Sequence, residues 1–177
     1  MEIGATKAVQ DRLKTTKIEE SKGASLVFCW DTHLTKIKGR NVLFIVNASN
    51  RYTIAMTDIE PRNWNYYAMY ISRVIHGMMQ EMGYSEDQIG QYFKMSGDTT
   101  VTKTHGRKSV GGINRMVMDA QYFGKKLEKE VKYQWELSEY LNRDICQPEG
   151  FDAYGYPSEL FKLDMERLGI ATKRTPA

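Results

Sequence analysis

FCWDTHLTKIKGRNVLFIVNASNRYTIAMT, residues 28–57, reads as three strands joined by two tight turns. From Phe28 to Ile37 the residues alternate. Phe28, Trp30, Thr32 and Leu34 point to one side, and Cys29, Asp31, His33 and Thr35 to the other, as in a half-buried strand. Lys38-Gly39-Arg40 turns the chain. Val42 to Val46 is apolar at every position, so this strand needs cover on both faces and should be central. Asn47 to Asn50 makes the second turn, and Tyr52 to Thr57 the third strand. Connections this short imply an antiparallel meander.

Working outward, Met1 to Ala5 reads as a short strand and Lys7 to Leu13 as a short helix. Beyond the meander, Asp58 to Asn63 is a loop, and Trp64 to Met82 carries the helical spacing Tyr67, Ile71, Val74, Ile75, Met78 and Met82. Gly83 ends that helix. Ser85 and Gln88 then form a capping box for a second helix. Thr99 to Thr104 favours an extended chain, and Gly106 breaks it. Ser109 is the expected N-cap of a helix from about Val110. Its spacing runs through Ile113, Met116, Val117, Ala120, Phe123, Leu127 and Val131, and on through Leu137, Tyr140 and Leu141. A Gly, Pro and aromatic loop near Cys146 to Tyr156 precedes a last helix with Pro157 at its favourable first position. The expected class is α+β: a small, mostly antiparallel sheet packed by helices, with a long helix near the C-terminus.

The length of 177 residues suits one domain, residues 1–177, with a sizeable core. A net charge of +3 permits a basic face without requiring one. Cys29 and Cys146 form neither a metal pattern nor a disulfide framework, which fits a reducing compartment. No signal peptide and no apolar run of membrane-spanning length is seen, so the expected location is cytoplasmic, with no membrane partner.

Several segments together resemble an uncharacterised bacterial domain family. They are Trp30 to Leu34, Arg40 to Asn47 with its Val46-Asn47 ending, Asn50-Arg51-Tyr52-Thr53, and Thr102-Lys103-Thr104. The family follows its Thr-Lys strand with Arg-Ser-Val-x-Gly-x-x-Asn. Here Arg107, Gly111 and Asn114 match that signature, while Lys108 and Ser109 stand where the family has Ser and Val. The resemblance covers residues 1–120, leaving 121–177 as a helical C-terminal extension. It implies a fold but no activity. Attachment of some relatives to plasmid- or phage-associated proteins implies mobile-element biology.

The basic turn is the leading candidate site. Lys103, His105, Arg107, Lys108 and Arg115 stand together without an acidic residue among them. Ser109, Gly111, Gly112 and Asn114 complete the set, since a helix start offers free N–H groups and glycines allow close approach. These features point to a phosphate-bearing ligand, nucleic acid or nucleotide, bound without catalysis or cofactor. An alternative is a protein-interaction or regulatory module, or a homodimer, using aromatic residues such as Phe151, Tyr154 and Tyr156. A third reading is a metal-dependent enzyme using Asp31, His33 and His105. Against it, Asp31 and His33 are explained by an exposed sheet face, and the expectation is no catalytic residue and no metal ligand.

Overall fold

The computed structural model describes residues 1–15 and 18–170. Strand β1 (Glu2–Ala5) and helix α1 (Lys7–Leu13) open the chain, and the meander follows as β2 (Cys29–Ile37), β3 (Arg40–Asn47) and β4 (Thr53–Thr57). Next come α2 (Pro61–Asn65), α3 (Tyr67–Glu81), α4 (Glu86–Ser96), β5 (Thr100–Thr102), α5 (Arg107–Gln121), α6 (Trp135–Asn142) and α7 (Pro157–Arg167). No helix of the described residues is long and apolar enough to cross a membrane.

The fold is α+β, but its sheet is mixed and not mostly antiparallel. The strand order is β4-β3-β2-β1-β5. The meander pairs antiparallel as its short turns require, whereas β1 lies parallel to both β2 and β5. The reason is connection length. Only a crossover can return a chain in the same direction, and β1 reaches β2 through a connection that carries α1.

Two apolar layers sandwich the sheet. Ile3, Trp30, Leu43, Ile45 and Ile54 face α3, α4 and α7 through Ile71, Ile75, Ile89 and Phe161. Val42, Phe44, Val46 and Ala55 face α5 and α6 through Ile113, Met116, Leu137 and Leu141. The run Val42 to Val46 is therefore buried from both sides, in a strand flanked by β2 and β4. The capping box at Ser85 and the N-terminal Pro157 of α7 form as their local sequence dictates.

The long C-terminal helix is not found. The stretch opens three residues early, at Arg107, and ends at Gln121, and α6 begins only at Trp135. Between them the backbone serves the exposed edge of β4. Thr57 N–H donates to the Lys132 carbonyl at 2.7 Å, and Gln134 N–H to the Ala55 carbonyl at 2.9 Å. Glu130, with φ 65°, is in the left-handed region and cannot belong to a continuous α-helix. Residues of α6 finish the edge. Ser138 Oγ accepts the Ala55 N–H, and the Asn142 amide accepts from Thr53 N–H and donates to the Thr53 carbonyl, each of these two bonds at 2.8 Å. An edge strand left open would be a template for pairing with other chains.

Candidate functional site

Parallel register sets Glu2 beside Cys29 and Gly4 beside Asp31, all on the α5 side of the sheet. The turn after β5 then lays His105 over them. His105 Nδ1 is 2.7 Å from Asp31 Oδ1, and Nε2 is 2.9 Å from Glu2 Oε2. Asp31 also accepts from the His105 backbone N–H and from Ser109 Oγ, while Ser21 Oγ and Lys22 N–H donate to Glu2. The three ionisable side chains are almost sealed from solvent, at 3%, 5% and 0% exposure for His105, Glu2 and Asp31.

With a carboxylate at each ring nitrogen, both nitrogens donate, and the ring is an imidazolium. Burial works against that charge, but the bond and the negative charge of Asp31 outweigh it and raise the His105 pKa to about 10. Burial likewise opposes the Glu2 charge, yet hydrogen bonds from Ser21 and His105 hold its carboxyl below the usual range. Gly4 makes room for the assembly. A Cβ there would lie 1.9 Å from Asp31 Oδ1 and 3.1 Å from His105 Nδ1.

This geometry corrects two expectations. Asp31 is not on an exposed sheet face, because α5 and the preceding turn cover that side. Ser109 is not an N-cap. Gly106, with φ 95°, takes that position, and Ser109 is the third helical residue, its hydroxyl turned inward to Asp31. His33 bonds Thr6 Oγ1 at 3.1 Å and makes no hydrogen bond to Asp31 or His105. Donor atoms of Glu2, Cys29 and His105 instead lie within 4.8 Å of one another, a set able to hold a metal ion. Glu2 and Gly4 escaped the sequence reading. The available signal was a carboxylate in a short strand otherwise made of Met, Ile, Gly and Ala.

The remaining residues of the basic turn face outward. Lys103 pairs with Glu20, Lys108 Nζ lies 3.8 Å from Glu149, and Arg115 pairs with Asp119 along its own helix. Arg107 forms no ion pair among the described residues. Gly112 serves packing, with its carbonyl accepting from Arg51 at 2.8 Å. Arg107, Gly111, Asn114 and Arg115 occur at helical intervals of 4, 3 and 1, so they form one exposed stripe leading away from the start of α5. No side chain caps that helix start, and its first turn holds no acidic residue.

The aromatic residues divide. Phe151 is buried, whereas Tyr154 and Tyr156 are exposed at 70% and 44%. Trp135 and Tyr133, with Arg143 and Lys162, border a cleft of about 290 Å³ beside α6 and α7.

No curated protein and no solved structure matches the chain. A family model does, over residues 2–160, a span that takes in the whole sheet, the buried network and α5. The chain thus belongs to the family described as a domain of unknown function, DUF6933.

Proposed function

We propose that the chain is a binding protein for a phosphate-bearing ligand, a nucleotide or nucleic acid, held along the first turns of α5. The observation that carries this reading is the exposed stripe of Arg107, Gly111, Asn114 and Arg115, running from an uncapped helix start. Arg107 can give two parallel hydrogen bonds to one phosphate. Gly111 has nothing within 4 Å of where a Cβ would stand, so an anion can approach the backbone there. Lys103 and Lys108 flank the stripe, and their exposed ion pairs are weak enough to exchange for a phosphate. Beneath them the Asp31 network holds the turn in place, which lowers the ordering cost of binding. His105 and Ser109 act in this reading as supports, not as contacts. Free, buried Cys29 and Cys146 fit a reducing, cytoplasmic setting.

The test is titration of wild type and the double variant Arg107→Glu, Lys108→Glu with nucleotides and short DNA and RNA at two salt concentrations. Wild-type affinity should fall steeply with salt as counterions are released. The double variant should lose at least about tenfold, or 1.4 kcal/mol. Its folding stability should change by no more than about 0.5 kcal/mol, because both positions are exposed. No binding by wild type at low salt would end this reading.

A second reading rests on a different observation. Trp135, Tyr140, Tyr154 and Tyr156 are each at least 42% exposed, which suits a protein partner or a second copy of the chain. Association through these side chains should be nearly indifferent to salt.

A further inference from the structure

We propose that Glu2, Cys29 and His105 form a buried zinc-binding site that clasps β1, β2 and the turn leading into α5. The argument begins with register. Glu2 and Cys29 are direct partners across the parallel β1–β2 ladder, so their side chains rise from the same side of the sheet, next to each other. His105 closes over them from a distant part of the chain. The carboxylate oxygen, the thiol sulfur and an imidazole nitrogen all lie within 4.8 Å of one another.

Proximity alone is common, and orientation adds the second observation. Asp31 holds Nδ1 of His105 at 2.7 Å, which directs Nε2 toward Glu2. A carboxylate behind a histidine is the arrangement that fixes the tautomer and aim of metal-bound imidazoles. Glu2 has its own supports, with Ser21 Oγ at 2.6 Å and Lys22 N–H at 2.8 Å. Two of the three donors are therefore aimed by neighbours before any ion arrives.

The donor types choose the metal. One sulfur, one imidazole nitrogen and one carboxylate oxygen suit zinc, which accepts all three. Magnesium and calcium prefer oxygen alone and are disfavoured by the thiol. Binding is balanced by the loss of two protons, one from the imidazolium Nε2 and one from the Cys29 thiol. The ion then takes the place of the proton that joins His105 to Glu2. Three protein donors leave one tetrahedral position for a water molecule. Because Glu2 and Cys29 are buried, the role is to tie elements together and not to meet substrate. The site shares His105 with the network that supports the proposed phosphate surface, but none of its donors is a contact of that surface.

The purified 177-residue chain, stripped with chelator and still folded by circular dichroism, is titrated with Zn²⁺ and with Co²⁺. The expected result is one ion per chain. The cobalt form should show thiolate-to-metal charge-transfer absorption, which added zinc removes. Cys29→Ser should abolish that absorption, while Cys146→Ser, altering the other cysteine, should retain it. Glu2→Gln should keep the absorption and weaken affinity at least tenfold, providing a second readout if Cys29→Ser does not fold. The absence of stoichiometric metal in wild type, absorption that follows Cys146, or unchanged affinity in Glu2→Gln would each overturn the proposal.

Discussion

Gly4 decides whether the buried network can exist. Asp31 is completely buried and accepts from His105 and Ser109, so its carboxylate cannot swing away from a new methyl group. Gly4→Ala should therefore destabilise the fold by about 1–3 kcal/mol, the usual size of overpacking in a tight interior. Gly111→Ala is the matching control. It lies in an open helical position, and alanine there should stabilise by roughly 0.5–1 kcal/mol. Urea denaturation of the two variants checks both signs. Equal stability of Gly4→Ala and wild type would mean that the carboxylate and the imidazole are not packed against β1. At this scale the sequence was only half legible. Alternation along β2 correctly put Cys29, Asp31 and His33 on one face, but it cannot say what covers that face. The cover comes from residues more than seventy positions later, His105 and Ser109, whose place in a cationic turn pointed to a bound phosphate and not to a buried carboxylate. A histidine between two carboxylates has the same letters as a histidine in water.

Elements were legible where their signals are local. The alternation of the meander, the Ser85 capping box and Pro157 at a helix start all depend on neighbours within a few residues. Helical spacing from Ile113 to Leu141 was misleading because competition for the segment is tertiary. Phe123 and Leu127 do reach the core beneath β3, but the backbone beyond them bonds to the β4 edge in place of its own helix. Asn142 makes that competition measurable. Its amide satisfies both the N–H and the carbonyl of Thr53 in a buried setting. Asn142→Ala should cost about 1–3 kcal/mol by leaving those groups unpaired. Faster hydrogen exchange should appear at the Thr53 amide before it appears in β2. If Thr53 stays as protected as in wild type, α6 does not close the sheet edge.

At the scale of the whole molecule, the two apolar layers differ in their chemistry. Tyr52, Tyr67, Tyr70, Tyr84, Tyr92 and Tyr133 all belong to the layer under α3, α4 and α7, while the α5–α6 layer contains none. Burial pushes the phenols of Tyr70, Tyr84 and Tyr133 up to about 12, and those of Tyr52, Tyr67 and Tyr92 higher still. The folded chain therefore keeps protons that the unfolded chain begins to lose near the ordinary tyrosine pKa of about 10. Stability should be unaffected by these groups below pH 10 and should fall as the pH rises from about 10 to 12. Denaturation midpoints across that range, with phenolate absorbance read alongside, measure the effect. Tyr66, Tyr122, Tyr140, Tyr154 and Tyr156 are exposed and contribute separately, and the part of the absorbance that comes from the six tyrosines of the layer should rise together with unfolding, not ahead of it. Tyr67→Phe separates this contribution from deprotonation of surface lysines. The Tyr67 hydroxyl is buried with no hydrogen-bond partner among the described residues, so its removal should leave stability at neutral pH equal or slightly higher. The same variant should lose less stability than wild type between pH 10 and 12. A phenolate absorbance difference between wild type and Tyr67→Phe that appears at pH 10 while the chain is still folded would show that the Tyr67 side chain reaches water, and the α3 layer would then be open where the structure has it closed.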